Sequence, residues 1–592
     1  MLPEYVDLYY PYKDHRARCL LELRMLNMSQ QIRSKPDWHK KMLKSEITSK
    51  WRKEAEAQEL KVDAIDYVLE EVKYYATLKD GSIEPGPVDG SWQADNLVDE
   101  TLSREFKKLV SKTLENIPEE EIDYHPGSDQ QVIDLVHPSL YCYVEDMSIL
   151  INKDYIDPSV LPSIENPTKK VRTRRYLARN PDEGKYRWMP ADISIKNDTV
   201  SFDSYINNLH PIKNKKLYDL IGKIFIRFLP MFNRSLTDIA NPRGIRIDIQ
   251  DWSWYTEEEF DGDDESDKEE EYEEWINNRT ILPVPVPKFE VPKAPEKIFD
   301  LKGEDLQIIV KLSYIKLTPE KPKYPGGSWH VEGIDEERIV ATGIYYYEIF
   351  IRFLPMFNRS LTDIANPRGI IIDVKQGSWY NQEEEFDYGD DESEKEEEYQ
   401  EWINNQKPKY PGGSWHVEGI DEEKIVATGI YYYEVDNITE SKLSFRVSIE
   451  EPIYEQNDDR GVEVIYGLKS DDPLNQVVGH MITKQDRCVV FPNIYQHIVT
   501  PFELVDKTKP GYRKILVFFL VNPYLNVVST YNVLPQQPGW DDVESDAPKN
   551  KRRTFTKKQA EENREKLMFE RKYTRDEYQK DYYEREFSLC EH

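Results

Sequence analysis

The sequence predicts an α+β protein built on a double-stranded β-helix, the jelly-roll form of a two-sheet barrel, with helices packed around it. Three observations predict this. Short apolar runs rich in Val, Ile, Phe and Tyr gather between about residues 300 and 530, turn residues separate them, and the chain on either side carries helical periodicity. An α+β layout with helices segregated from an antiparallel sheet follows from that order.

Taken in order, residues 1–78 form a helical module. Leu20, Leu21, Leu23, Leu26 and Met28 cluster before a break at Pro36, and a second, charged helix runs through Trp51. The stretch from Leu78 to Val98 contains Gly81, Pro85, Gly86, Pro87 and Gly90 and reads as a linker or extended loop. The main domain spans 95–545. Between 100 and 300, helices over Leu102 to Leu114 and Leu217 to Phe232 and a strand over Thr199 to Tyr205 make a helical buttress for the barrel. From Glu257 to Glu274 most side chains are acidic, which predicts a solvated segment, and Ile281 to Pro295 is proline-rich and extended.

The barrel strands are then Leu306 to Leu317, Arg338 to Tyr347, a hairpin from Ile430 to Arg446 turning at Asp436-Asn437, Cys488 to Phe491, and Lys514 to Val521. Several are nearly continuous apolar runs, as expected of strands covered on both faces. The tail, 546–592, opens with Thr556-Lys557-Lys558-Gln559. This capping-box spacing starts a charged helix to about Tyr583, with Met568, Phe569 and Tyr573 as its packing face on the protein's own body.

Within the barrel, Trp415-His416-Val417-Glu418, then His497, then Arg513 carry the chemistry. Two imidazoles and a carboxylate occupy one side of a metal and leave other positions open, the donor set of non-haem Fe(II) oxygenases. A planar guanidinium beyond the second His suits the far carboxylate of 2-oxoglutarate. His416, Glu418 and His497 are therefore the candidate metal ligands and Arg513 the candidate co-substrate clamp.

The chain also repeats itself. Residues 224–278 recur at 349–405 and residues 321–348 at 407–434, so the motif has a first copy, His330 and Glu332, while only one distal His and one Arg follow. At most one pair completes a triad. A tight hairpin after the second copy resists insertion better than the loop at Thr318-Pro319-Glu320. That favours His416 and Glu418 as ligands, with 321–406 looped out.

The strings Lys407 to Gly419, Phe491 to His497 and Arg513 to Val521, with Val136 to Tyr141, Ser204 to Pro211 and the ending Phe587 to His592, resemble the domain-of-unknown-function family 4246, found mainly in fungi. The resemblance covers most of the chain. Members of that family are largely uncharacterised, and the link to 2-oxoglutarate oxygenases rests on the His-x-Glu, distal His and Arg pattern. Here the acidic ligand is Glu where Asp is commoner, and the stretch from His497 to Arg513 is long.

Other classes are disfavoured. The net charge of −32 opposes nonspecific nucleic-acid binding and favours basic protein partners for the acidic loops. Cys19, Cys142, Cys488 and Cys590 form no Cys-x-x-Cys pair, and no phosphate loop or Gly-x-Ser-x-Gly elbow occurs. Lys169 to Arg175 and Lys549 to Arg553 read as solvated basic segments. His15, His39, His125, His137, His210, His480 and His592 show no ligand spacing and read as structural or solvated. No signal peptide or membrane span is legible, which predicts an intracellular protein, cytoplasmic or nuclear. The expected function is an Fe(II)- and 2-oxoglutarate-dependent oxygenase; the rivals are a non-catalytic interaction protein and a cupin-type metalloenzyme that uses no 2-oxoglutarate.

Overall fold

The computed structural model describes residues 2–4, 6, 8, 15–151, 155–156, 176–177, 185–256, 275, 278–325, 341–347, 425–454, 458–540, 553–578 and 585–588. These fall in one compact unit formed from 1–348 and 414–592. His330, Glu332, His416, Glu418, the acidic run 257–274, the basic run 169–175 and residues 549–552 of the second basic run lie outside the described residues.

The N-terminal helices are α1 (Leu20–Arg33), α2 (Ser45–Glu56) and α3 (Val62–Leu78). The expected linker after α3 is instead a hairpin. β1 (Ile83–Pro85) pairs with β2 (Trp92–Asp95), Gly90 supplies a left-handed turn residue at φ +75°, and Trp92 is buried. Turn residues there were the right signal, but they close a hairpin rather than a free loop. Next come α4 (Glu100–Val110), β3 (Val132–Val136), β4 (Ala191–Lys196), β5 (Thr199–Phe202) and α5 (Lys215–Ala240).

The strands that follow are β6 (Asp305–Leu317), β7 (Lys323–Tyr324), β8 (Ala341–Tyr347), β9 (Ile425–Asp436), β10 (Ser441–Ser448), β11 (Asn475–Thr483), β12 (Gln485–Pro492), β13 (Gln496–Val499), β14 (Phe502–Glu503) and β15 (Gly511–Val521). Between β10 and β11 lies α6 (Asp459–Tyr466), and α7 (Lys557–Tyr578) follows β15.

A ten-stranded sheet runs β1-β2-β12-β8-β9-β15-β6-β4-β5 with β3 also on β6, and its ladders are antiparallel except β8 with β9. The smaller sheets that bear on the site are β7-β14 and β11-β10-β13, and two further two-stranded ladders pair 143–144 with 186–187 and 155–156 with 176–177. Alternation along the central strands divides the interior. Ile308, Val310 and Leu312 of β6 and Leu516, Phe518 and Leu520 of β15 join Phe225, Phe228 and Phe232 of α5 in one cluster. Ile309, Ile315, Val517 and Phe519 join Leu443, Phe445 and Val447 of β10 in the other. Successive side chains of a strand point to opposite faces, so a sheet with helices on one side and β10 on the other needs apolar residues at every position. That is why Lys514 to Val521 of β15 reads as a nearly continuous apolar run.

The helix α5 is longer than the expected 217–232 and tolerates Pro230 inside it. Its buried Leu217, Ile221, Ile224, Phe228 and Phe232 recur at helical spacing, and Phe225 and Phe228 meet Phe518 with ring centroids 5.3 and 5.5 Å apart.

Two expectations change. The segments 425–436 and 441–448 are not a hairpin, because β9 pairs with β12 and β15 while β10 pairs with β11 and β13. Asn437, at φ +53°, sends the chain from one sheet to the other, and its side-chain amide donates to the carbonyls of Asp506, Lys509 and Pro510. The looped-out piece, 321–406, also contributes to the sheets, since β7 pairs with β14 and β8 with β9, β12 and β15.

At the C-terminal end the capping box is present: Gln559 accepts from the Thr556 N–H at 3.0 Å and the Thr556 hydroxyl accepts from the Gln559 N–H at 3.2 Å. The helix docks on the body, with Leu567 fully buried, Arg571 stacked 3.9 Å from the Trp188 ring centroid and Arg564 paired to Asp123 at 2.7 Å. Met568 packs on the body as expected, Leu567 and Ala560 are buried beside it, and Phe569 is 37% exposed. No helix among the described residues is long and apolar enough to cross a membrane.

Candidate functional site

His497 and Arg513 both border the cluster between the large sheet and β10. His497 sits on β13 opposite Phe445 and is 1% exposed, with its ring 5.0 Å from Phe491 and 6.4 Å from Phe445. The residues before it are anchored at both ends. Gln496 accepts from Arg446 Nε at 2.6 Å, and Tyr495 donates at 2.8 Å to the carbonyl of Asp89, whose carboxylate receives two bonds from buried Arg246. An imidazole so held changes position little when it takes a ligand.

Arg513 opens β15, opposite Ile315 of β6 and Val435 of β9, and is 3% exposed. Its guanidinium lies 4.3 Å from the Tyr432 ring centroid and donates to the Tyr432 hydroxyl. Tyr324 and Lys311 are close by. Burial pushes the Tyr324 phenol up, and the charges of Arg513 and Lys311 oppose that rise. Lys514 takes the other face of the strand, where it pairs with Glu434 at 2.7 Å and Glu115 at 2.9 Å, so it is no substitute for Arg513.

A cleft of about 790 Å³ lies at the end of β12 and the entry to β13, lined among others by Tyr75, Trp92, Asp238, Arg243, Pro492 and Tyr495. Burial and the charge of Asp89 push the Asp238 carboxyl up to about 7, against the Trp92 indole N–H that donates to it at 2.7 Å and the charge of Arg234. Pro492 and Tyr495 join this cleft directly to the strand that carries His497.

A second group was not foreseen. His125, Asp134 and His137 place one ligand atom each within 4.8 Å of one another, an arrangement that could hold a metal ion. The turn through Pro126 and Gly127, with Gly127 at φ +75°, folds the chain back so that the His125 N–H donates to the Val132 carbonyl and Nδ1 meets Asp134 Oδ2 at 2.8 Å. Asp134, on β3 opposite Ser313, has a fully buried side chain. Burial pushes its carboxyl up, but the charges of His137, then His125, outweigh that and hold it well below the usual range. His137 lies 5.2 Å from the His125 ring and meets Trp188 edge-on at 6.1 Å, and Trp188 in turn lies 5.5 Å from Phe519.

Ligand spacing along the sequence did not reveal this group, because nine residues separate His125 from Asp134 and only the hairpin closes that gap. The Pro126-Gly127 turn, followed by the Val- and Ile-rich run from Val132 to His137, was the available signal.

A family model described as "Protein of unknown function (DUF4246)" matches residues 62–350 and 402–544, and one described as "Domain of unknown function DUF4246, N-terminal" matches residues 3–54. No curated protein and no solved structure matches the chain.

Proposed function

Because the chain belongs to the DUF4246 family, whose description assigns no activity, we propose from geometry that it is an Fe(II)- and 2-oxoglutarate-dependent oxygenase on a double-stranded β-helix. The observation that carries this reading is strand order. Numbering β6, β7, β9, β10, β11, β12, β13 with β14, and β15 as strands one to eight, the large sheet contains the order one, eight, three, six, and the small sheets supply two, seven, four, five. That order of pairing, split four and four between large and small sheets, is what the jelly-roll reading requires. Buried His497 then falls on the seventh strand and buried Arg513 at the start of the eighth.

The described residues fit the groups this reading requires. His497 is an imidazole donor in an apolar wall, and Arg513 is a buried cation whose planar fork, backed by Tyr432, suits a carboxylate. His416 and Glu418 complete the ligand set in this proposal, with His330 and Glu332 as the duplicate pair. Bound iron and 2-oxoglutarate supply the oxidising power: dioxygen and the 2-oxo acid give succinate and carbon dioxide while a substrate C–H bond becomes C–OH. The chain's own residues hold His497 in place through Gln496 and Tyr495, orient the co-substrate carboxylate through Arg513, and exclude water with Phe445 and Phe491. Fold alone never fixes a substrate, and the cleft beside Tyr495 is where one would enter.

Anaerobic titration tests this. His497→Ala should abolish Fe(II) binding. Arg513→Ala should keep iron but weaken 2-oxoglutarate by roughly 2–5 kcal/mol, as for a truncated buried charge pair. Equal iron uptake by wild type and His497→Ala would sink the oxygenase, and iron binding with no response to 2-oxoglutarate would leave the cupin-type metalloenzyme.

A further inference from the structure

We propose that His125, Asp134 and His137 form a second metal site, distinct from any centre at His497, that binds a borderline divalent ion of the zinc type and clips the 123–137 hairpin to the edge of the large sheet. Two neutral imidazoles and one carboxylate are a donor set that such an ion accepts in fourfold coordination, with the last position left to water. Calcium and magnesium prefer all-oxygen sets and are poor candidates.

Two independent observations point to a ligand there. The three ligand atoms converge to within 4.8 Å although they come from a loop, a strand and the residue after that strand. Asp134 has a side chain 0% exposed, and while its Oδ2 meets His125, its Oδ1 accepts no hydrogen bond among the described residues. A fully buried carboxylate oxygen without a donor destabilises the fold, and a cation at that oxygen removes the penalty. The His137 Nδ1 accepts from the Ser139 N–H at 3.2 Å, a long contact that the ring exchanges for the ion.

The surroundings explain what the ion would hold. The hairpin reaches the sheet through Val136, Asp134, Ile133 and Val132 against β6, and Asp123 at its base pairs with Arg564 of the C-terminal helix. Trp188 packs on His137 and is covered by Arg571 of that same helix. The clip therefore sits beneath the docked C-terminal helix, and loss of the ion should loosen both together.

The test uses the full chain stripped of metal and titrated with Co²⁺, whose visible absorption reports coordination, with Zn²⁺ as competitor. The wild type should bind Co²⁺ at this site and melt higher with Zn²⁺ than without. His137→Gln and Asp134→Asn, which retain hydrogen-bonding capacity, should weaken that binding at least about 100-fold, more than loss of an outer-shell partner does. His497→Ala should keep the signal. Equal Co²⁺ binding and equal Zn²⁺ stabilisation in wild type, His137→Gln and Asp134→Asn would overturn the proposal and leave a hydrogen-bonded His-Asp-His group. Loss of all Co²⁺ binding in His497→Ala would also overturn it, whereas the oxygenase reading would survive that result.

Discussion

Residues 341–347 and 427–433 carry the same string, Ala-Thr-Gly-Ile-Tyr-Tyr-Tyr, and face the same partners in the same register. Tyr345 and Tyr431 both lie opposite Cys488, and Ile344 opposite Val517 continues the alignment that sets Tyr432 opposite Ile515. Their flanks differ. The first copy ends as a strand at Tyr347, whereas the second runs on to Asp436 opposite Tyr512 and is tied by Glu434 to Lys514 and by Asn437 to the 506–510 loop. The strand sequence fixes register, since a slip of one residue would turn every side chain to the wrong face. It does not choose between copies.

The sharpest way to break this comparison is Tyr432→Ala against Tyr346→Ala. Tyr432 is fully buried and carries the Arg513 guanidinium, so its truncation should cost about 3–5 kcal/mol in urea unfolding. Tyr346, opposite Arg487 of β12 in the first copy, is the matched control. Equal losses would mean that both copies are equally installed.

A smaller effect comes from Glu434→Gln, about 0.5–1 kcal/mol because Glu434 is 38% exposed. Burial alone would lower Lys514, but the charges of Glu434 and Glu115 outweigh it and raise it above 10.5. A raised ammonium contributes stability that is fully present below its unfolded value and lost as pH rises through the folded one. The gap between wild type and Glu434→Gln should therefore be constant from pH 7 to 9 and close only above pH 10.5; a gap that closes lower points to another partner.

The smallest expected effect is none. Deleting 349–434 or deleting 321–406 leaves chains that differ only by Arg338 against Lys424. Both should melt together, at or above the full chain, and both should bind iron. A lower melting point in either would show that the extra segment supports the fold.

The central strands were legible because helices cover one face of the sheet and the smaller sheets the other, so Lys514 to Val521 is a nearly continuous apolar run and Leu306 to Leu317 is rich in Ile, Leu and Val with a few polar residues between them. His497 and Arg513 were legible as motif residues, and the structure buries both beside one apolar cluster. The passage from β9 to β10 was not. A turn at Asp436-Asn437 looks the same whether the next strand folds back or crosses to another sheet, and the difference lies in three carbonyls some 70 residues away. The His125 group was hidden for the same reason, since its ligands meet only after a hairpin closes.

The pairing of β8 with β9 sets Ala341 beside Ala427, Thr342 beside Thr428, Gly343 beside Gly429 and Ile344 beside Ile430, parallel and in register. Between separate chains, that arrangement of like beside like is the growth step of a fibril. Here the covalent link holds the two strands at an effective concentration of order millimolar, so dilution does not separate them. Both strands also pair with β12 and β15 inside the large sheet, so neither offers a free edge on which another molecule's copy could add.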